Sequence, residues 1–300
     1  MIPLFDLHCD TLLELYNNQE SIESNSLHVS FDKCVGISPY VQIGAIWSCK
    51  HLSDEDAFIN YKCAVNYLKG INIPFSKSIS KLRDKSFILA IEDGRLLASK
   101  LERLDELYKD GVRVFGLNWN DDNILGGGWN TASPLTAFGE NTIIRCCELG
   151  IIVDVSHSNE ATASKAIDLC FKHRGFCIAS HSNSLTIYNH KRNISDELFK
   201  KLVNCGGIVG ISLVPEHLTC NSASVDDILN HIEHFLKLGG EKGIALGCDF
   251  DGTTRLPKEF NSIKDLPTLY EKIKNSFGRS IAENIFFYNA YNLMRKALYH

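Results

Sequence analysis

Short apolar runs, rich in β-branched residues and bounded by polar or glycine-containing segments, recur along the whole chain. Stretches with the 3.6-residue period of amphipathic helices separate these runs. The runs predict eight strands, at residues 2–7, 40–47, 87–91, 112–117, 151–155, 176–179, 207–213 and 244–247. The intervening stretches predict helices at 53–69, 96–109, 141–149, 160–172, 196–203, 225–238 and 280–298. Such alternation, with nearly continuous apolar strands, predicts a parallel sheet covered by helices.

Eight strand–helix repeats favour closure of that sheet. The predicted fold is a single α/β domain over residues 1–300, a (β/α)8 TIM barrel, with an open doubly wound sheet as the alternative. Three long connections, at 17–39, 118–139 and 249–279, follow predicted strands, the first of them with a short helical turn around residues 12–16. In a barrel such loops gather at the C-terminal face and build the active site. The run Gly126-Gly127-Gly128 in the second connection is interpreted as flexible loop, because barrel phosphate sites usually follow strands seven and eight.

Net charge, cysteine pattern and the lengths of the apolar stretches indicate which class of ligand and which cellular compartment to expect. The net charge is -5 and no run of basic residues occurs, so we expect a small-molecule ligand and neither nucleic acid nor an anionic membrane. The eleven cysteines form no CxxC pair, which favours reduced thiols. The first residues do not resemble a signal peptide and no apolar stretch reaches ~18 residues, so we expect a cytoplasmic protein. Monomer and homodimer both stay open.

Polar residues stand where the predicted strands end. In the segment Asp6-Leu7-His8-Cys9-Asp10, alternation predicts that Asp6, His8 and Asp10 share the lumen side and that Cys9 turns away into packing. A histidine and a carboxylate two positions apart can both reach one metal ion at a barrel mouth. The structural alternative is a polar strand end with a capping aspartate.

Three further strand ends carry metal-ligand chemistry. Glu92 follows an apolar strand, and an unpaired buried carboxylate is costly unless it binds a cation; helix capping or pairing with Arg95 is the alternative. His157 and His181 each follow a serine at the end of consecutive predicted strands, and neutral imidazole is the commonest metal ligand. A structural histidine is the alternative at each position. Asp154 is a candidate to orient one of the rings.

The last predicted strand ends in Asp249 and Asp251, and one of them is a candidate general base; a turn before Gly252 is the alternative. Together these carboxylates and histidines come from five strands that end at one face of the predicted barrel. The number of ligands exceeds what one zinc ion needs and suits two ions.

These residues lie in segments that resemble the renal, or membrane, dipeptidase family of the amidohydrolase superfamily. The resemblance covers nearly the whole chain and rests on DLHCD at 6–10, AIEDG at 90–94, GLNWNDDN at 116–123, PLTAFG at 134–139, GIIVDVSHS at 150–158, SHSNS at 180–184, RNISDEL at 192–198, GGIVGIS at 206–212 and LGCDFDG at 246–252. It implies a barrel with two Zn²⁺ ions per chain. Glu92 would bridge them, His8 and Asp10 would bind one ion, and His157 and His181 the other.

The same resemblance implies that Asp249 is the acid/base and that Arg192 holds the terminal carboxylate of a dipeptide through a two-pronged ion pair. The alternative for Arg192 is a surface charge beside Asp196. Renal-type members place a histidine near the scissile carbonyl where this chain has Trp119, a neutral donor, so oxyanion stabilisation would depend more on zinc and the substrate range would differ. We expect neither the secretory start nor the lipid-anchor tail of those relatives in this protein.

The implied function is that of a zinc-dependent dipeptidase in which a metal-bridging hydroxide attacks the amide carbonyl and Asp249 passes the proton to the leaving amine. Deacylation of N-acyl amino acids and lactone opening on the same centre are alternative reactions. A barrel without catalysis that serves as a binding or scaffold protein is an alternative from another class.

Overall fold

Eight parallel strands close into a barrel in which each strand pairs with its neighbours in chain order and β8 pairs with β1. The computed structural model describes residues 1–298. The strands are β1 (Ile2–Cys9), β2 (Ile37–Trp47), β3 (Lys85–Glu92), β4 (Val112–Gly116), β5 (Ile152–Asp154), β6 (Cys177–Ala179), β7 (Ile208–Ile211) and β8 (Ile244–Leu246). The predicted (β/α)8 barrel is confirmed, and the open doubly wound sheet is wrong.

Helices surround the strands. They are α1 (Thr11–Asn18), α2 (Asp54–Gly70), α3 (Arg103–Asp110), α4 (Ala137–Leu149), α5 (Glu160–Lys172), α6 (Asp196–Asn204), α7 (Pro215–Leu218), α8 (Val225–Lys237), α9 (Leu266–Phe277), α10 (Arg279–Glu283) and α11 (Asn289–Ala297). Side-chain caps fix several starts: the side chains of Ser53, Thr136, Asn159 and Ser195 each accept a hydrogen bond from a backbone N–H of the first turn. Within residues 1–298, none of the helices combines the length and the apolar character that a membrane span requires.

The apolar side chains form two layers. An inner cluster fills the barrel lumen and includes Phe5, Val41 and Ile88 from the first three strands. Leu293 and Met294 of α11 belong to this inner cluster, so the C-terminal helix closes the lumen at one end. A larger outer cluster packs the helices against the strands. The inner apolar cluster and α11 occupy one end of the barrel. The polar site residues can therefore lie at the opposite end, where the strands finish.

Two helices differ from the prediction. Helix α9 lies inside the segment 249–279 that was predicted as a loop, although its buried residues Leu266, Leu269, Tyr270 and Ile273 have helical spacing. Pro267 occupies the first helical turn, where a missing N–H is tolerated, so it marks a helix start and not a break. The stretch predicted at 96–109 is interrupted because residues 98 and 99 adopt positive φ, and α3 begins only at Arg103.

The interpretation of Gly126-Gly127-Gly128 as flexible loop is wrong. All three residues are buried, and Gly128 forms a β-bridge with Ser158. A Cβ at Gly128 would lie 2.5 Å from the backbone oxygen of Asp121 and 2.6 Å from that of Asn120. The glycines are therefore required by close approach of backbone, which holds this loop over the end of β4.

Candidate metal centre

Six side chains predicted from five strand ends come together at the open end of the barrel. Three overlapping groups each bring their ligand atoms within 4.8 Å of one another: His8 with Asp10 and Glu92; Glu92 with His157 and His181; and His8 with His181 and Asp249. Four of the six residues are buried, and Asp10 and His157 are half-buried. Such a concentration of carboxylates and imidazoles away from water needs compensating positive charge.

His8 is surrounded by carboxylates that it does not touch. Its Nε2 lies 3.8 Å from Asp10 Oδ2, 3.6 Å from Glu92 Oε2 and 3.7 Å from Asp249 Oδ1, and it has no hydrogen-bond partner among residues 1–298. Asp10 Oδ1 is also buried without a partner. Ligand atoms that share a tetrahedral zinc at ~2.0–2.2 Å stand roughly 3.3–3.6 Å apart. The spacing around His8 therefore suits a cation between these groups better than direct hydrogen bonds.

The tautomer of His157 follows from its neighbours. Trp129 Nε1 donates to Asn120 Oδ1 at 2.6 Å, and because an indole N–H can only donate, the amide atom that it meets is the oxygen. The same oxygen lies 3.2 Å from His157 Nδ1, which must then carry a proton and donate. Burial first, and then the charge of Arg192, lowers the pKa of His157 to about 4, so the ring is neutral near pH 7. Its Nε2 is left with a free lone pair.

A second chain of hydrogen bonds fixes the tautomer of His181. Ser180 donates its hydroxyl proton to Asp154 Oδ2 at 2.5 Å, so Ser180 Oγ accepts from His181 Nδ1 at 2.8 Å. Ser156 also donates to Asp154, and the backbone N–H of His181 donates to Ser156 Oγ. Burial lowers the pKa of His181 well below its ordinary value. The prediction that Asp154 orients a ring agrees with this geometry, in which it acts through two serines.

These two tautomers leave lone pairs facing each other. His157 Nε2 lies 2.9 Å from His181 Nε2 and 2.7 Å from Glu92 Oε1, and His181 Nε2 lies 3.8 Å from the same carboxylate oxygen. Three electron-pair donors converge with no proton between them. Glu92 presents Oε1 to this group and Oε2 to His8. The donor set therefore fits two divalent cations, one on each side of Glu92, with ligands that zinc accepts.

The pKa values of the three carboxylates in this cluster shift in different directions. Burial, reinforced by the charge of Glu92, raises the pKa of Asp10 to about 8. Burial also raises the pKa of Asp249 to about 6, against the opposing effect of His8. For Glu92, burial favours the neutral acid, but the charges that His8 and His157 carry when protonated outweigh it and hold the pKa below the ordinary value. Glu92 is thus the carboxylate most firmly ionised, as a group shared by two cations should be.

Asp6 and Asp251 lie near the cluster in sequence but do not belong to it. The prediction that Asp6 shares the lumen side with His8 is wrong: Asp6 pairs with Leu246, which belongs to the outer core layer, and its Oδ1 accepts from the backbone N–H of Cys248. A register shift between Asp6 and Cys9 turns His8 into the mouth instead. Asp251 accepts from Thr11 Oγ1 at 2.5 Å and from His28 N at 2.6 Å, so it organises the turn, and Asp249 alone of the pair joins the cluster.

A cavity of about 480 Å³ lies over the cluster. Arg192 and Trp119 line it, as do Asp10, Glu92, His157 and Asp249, so the predicted substrate-binding residues do lie beside the predicted ligands. Arg192 is buried and does not pair with Asp196; its guanidinium donates to the backbone oxygens of Ser156 and His181. Two of its five N–H groups thus hold the ends of β5 and β6 together.

Sequence reasoning missed several residues that line this cavity, among them Trp47, Asn120, Trp129, His190 and His217. Trp47 is the last residue of β2, so the strand-end rule that found Glu92 and His157 would have found it too. Asn120, Trp129 and His190 lie in loops, and His217 lies in the short helix α7. No periodic pattern marks a loop residue as facing a cavity, and their positions depend on long-range contacts such as that between Asn120 and Trp129.

Arg95 settles one alternative for Glu92. The guanidinium of Arg95 lies 3.3 Å from Asp93 Oδ2 and 2.9 Å from Asp54 Oδ1, and Glu92 is not among its partners. The carboxylate of Glu92 therefore faces His8, His157 and His181 and not Arg95.

Comparison with known proteins agrees with this architecture. The model of the membrane dipeptidase family (peptidase family M19) matches residues 1–298. A Schizosaccharomyces pombe protein described as an uncharacterized dipeptidase, C965.12, is 31% identical over 194 residues, which cover 62% of this chain and 46% of that protein. The chain spans about half the length of the curated relatives that it matches.

Two solved structures have the same fold. The dipeptidase AC, a metallo-peptidase of family M19, superposes with a TM-score of 0.91 at 21% identity, covering 99% of both chains. A metallo-peptidase from Rhodobacter sphaeroides, liganded with a phosphinate mimic of the dipeptide L-Ala-D-Ala, superposes with a TM-score of 0.88 at 21% identity, again covering 99% of both chains.

Proposed function

We propose, from the premise that this chain belongs to the membrane dipeptidase family (peptidase family M19), that it is a metal-dependent dipeptidase that hydrolyses the amide bond of small dipeptides. The observation that supports this most strongly is the convergence of unprotonated ring nitrogens and carboxylate oxygens around Glu92 beneath a cavity of about 480 Å³. That cavity falls in the range of small-ligand sites, ~300–1,000 Å³.

The residues that would hold the metal fall into two sets joined by Glu92. His8 and Asp10 would hold one zinc ion and His157 and His181 the other, with Glu92 shared. Two zinc ions held there would polarise the amide carbonyl and lower the pKa of a water enough to make it a nucleophile, in keeping with the predicted bridging hydroxide. The surrounding hydrogen bonds through Asn120 and Ser180 keep the ring nitrogens unprotonated and aimed.

Asp249 is the group proposed to move the proton. It lies on the cavity wall next to His8, and its carboxylate, unlike that of Asp251, accepts no hydrogen bond within residues 1–298. Its carboxylate can accept a proton from the attacking water and return it to the leaving amine, which becomes a neutral amine only if it is protonated. Its pKa, raised by burial, favours this exchange near neutral pH.

Arg192 is proposed to bind the free carboxylate of the substrate. A guanidinium matches a carboxylate in charge and in planar geometry, and Arg192 lies on the wall of the cavity. Trp119 contributes apolar surface to the wall and cannot supply a charged donor to the carbonyl oxygen. We propose that the protein acts on dipeptides in the cytoplasm.

A substrate panel tests the proposal. Zinc-loaded protein is assayed with dipeptides, N-acyl amino acids and lactones, and with dipeptide amides that lack the free carboxylate. We expect hydrolysis of dipeptides, with much lower kcat/KM for the amides, and loss of activity on removal of metal with a chelator. Turnover of lactones or N-acyl amino acids without turnover of any dipeptide would contradict the proposal.

A further inference from the structure

All three tryptophans of the sequence line the cavity over the candidate metal centre: Trp47, Trp119 and Trp129. Trp47 and Trp119 contact each other, with ring centroids 4.8 Å apart and an interplanar angle of 55°. Both rings are half-buried, and the apolar side chain of Leu13 lines the same cavity. Aromatic surface left on a ligand cavity favours an apolar group that can cover it.

The tryptophan pair lies on one side of the barrel mouth. Trp47 ends β2 and Trp119 follows β4, so the two rings flank the end of β3, where Glu92 stands. Arg192 follows β6 and His217 follows β7. In a closed ring of eight strands, β3 and β7 are diametrically opposite. The cavity therefore has an apolar wall facing a cationic and polar wall, with the carboxylate and imidazole cluster between them.

This division fixes an orientation for a dipeptide, on the premise of the proposed function. With the terminal carboxylate at Arg192 and the scissile amide over the cluster, the N-terminal residue extends to the opposite wall. We propose that the Trp47–Trp119 pair binds an apolar side chain on the N-terminal residue of the substrate, so that the enzyme selects dipeptides with leucine- or phenylalanine-like first residues.

Matched dipeptide series test this selection. With zinc-loaded full-length protein, we expect kcat/KM for Leu-Ala to exceed that for Gly-Ala by about tenfold or more, as burial of an apolar side chain in a fitted pocket gives. The variants Trp47→Ala and Trp119→Ala should each bring this ratio towards one. The ratio between Ala-Leu and Ala-Gly, which varies the other residue, should not follow that change. Phe171→Ala removes an aromatic ring exposed on α5 and should keep the wild-type ratio.

Binding provides a readout that does not need turnover. Phosphinate mimics of Leu-Ala and Gly-Ala are titrated while tryptophan fluorescence is recorded, since all three fluorophores line the cavity. Tighter binding of the Leu-Ala mimic, lost in Trp119→Ala, supports the inference even if no dipeptide is hydrolysed, a result that would overturn only the proposed function. Equal affinity of wild-type protein for the two mimics, or a preference that survives both tryptophan substitutions, would overturn the inference.

Discussion

Replacing Asn120 by leucine removes the oxygen that fixes the tautomer of a predicted metal ligand. Asn120 Oδ1 accepts from Trp129 Nε1 at 2.6 Å and from His157 Nδ1 at 3.2 Å. Without that acceptor, the proton of His157 is free to move to Nε2, which lies 2.7 Å from Glu92 Oε1 and would donate to it. A proton at that position competes directly with a metal ion.

The expected magnitude follows from this competition. Loss of the hydrogen-bond partner of a metal-binding histidine typically weakens metal affinity by 10–100-fold, or about 1.4–2.7 kcal/mol. The effect should fall on one of two binding steps, because Asn120 contacts His157 and not His8. Asn120→Asp retains an acceptor oxygen and should keep affinity close to that of the wild type.

Zinc affinity is measured by competition with a chelator, and stepwise constants are fitted for wild type, Asn120→Leu and Asn120→Asp. Asn130→Leu is the control, because Asn130 is an exposed residue of the same loop whose side-chain amide donates to Asp121 and not to His157. If Asn120→Leu bound both ions as tightly as the wild type does, the tautomer argument would be refuted. Equal weakening of both steps would also contradict it.

Three further predictions concern catalysis, substrate binding and stability. Asp249→Asn should lower kcat by about 10²–10⁴-fold while zinc content stays at the wild-type value, and near-normal turnover would refute the proton-transfer role. Arg192→Met should raise KM for a dipeptide by roughly 10–100-fold and leave KM for the matching dipeptide amide little changed; an equal rise for both would contradict carboxylate binding. Asp110 lies 2.7 Å from Lys62 Nζ and 3.2 Å from Lys69 Nζ, which outweigh the effect of burial and lower its pKa. A lowered carboxylate pKa stabilises the fold above the unfolded-state pKa of ~3.9 and ceases to do so as pH falls, so in urea unfolding Asp110→Asn should lose about 0.5–1 kcal/mol at pH 7 and almost nothing near pH 2; the same loss at both values would contradict it.

The fold could be predicted because barrel strands are buried on both faces. Their apolar runs stand out against amphipathic helices, and all eight predicted strands overlap the observed ones. Helix α9 was missed because all of 249–279 was predicted as a connection, although Pro267 stands where a helix can begin. The break at residues 98–99 could not be predicted, since left-handed backbone at alanine and serine has no local sequence signal.

The candidate site was predictable where it depends on strand ends. Glu92, His157, His181 and Asp249 were placed by the rule that polar residues after apolar strands meet at one face, and the structure brings them together. The rule failed for Asp6 because the register shift in β1 breaks the alternation on which it depends. The strand-end rule makes no prediction for loop residues, because tertiary contacts determine whether a loop residue lies at the cavity.

We infer that the cluster around Glu92 holds two divalent cations. The number of zinc ions that the purified protein retains tests this inference directly. Protein incubated with excess zinc and freed of unbound ions is analysed by mass spectrometry of the metal content, beside Glu92→Ala. The account predicts two ions per wild-type chain and severe loss of both in Glu92→Ala. Retention of no zinc by the wild-type protein, or of two ions by Glu92→Ala, would contradict it.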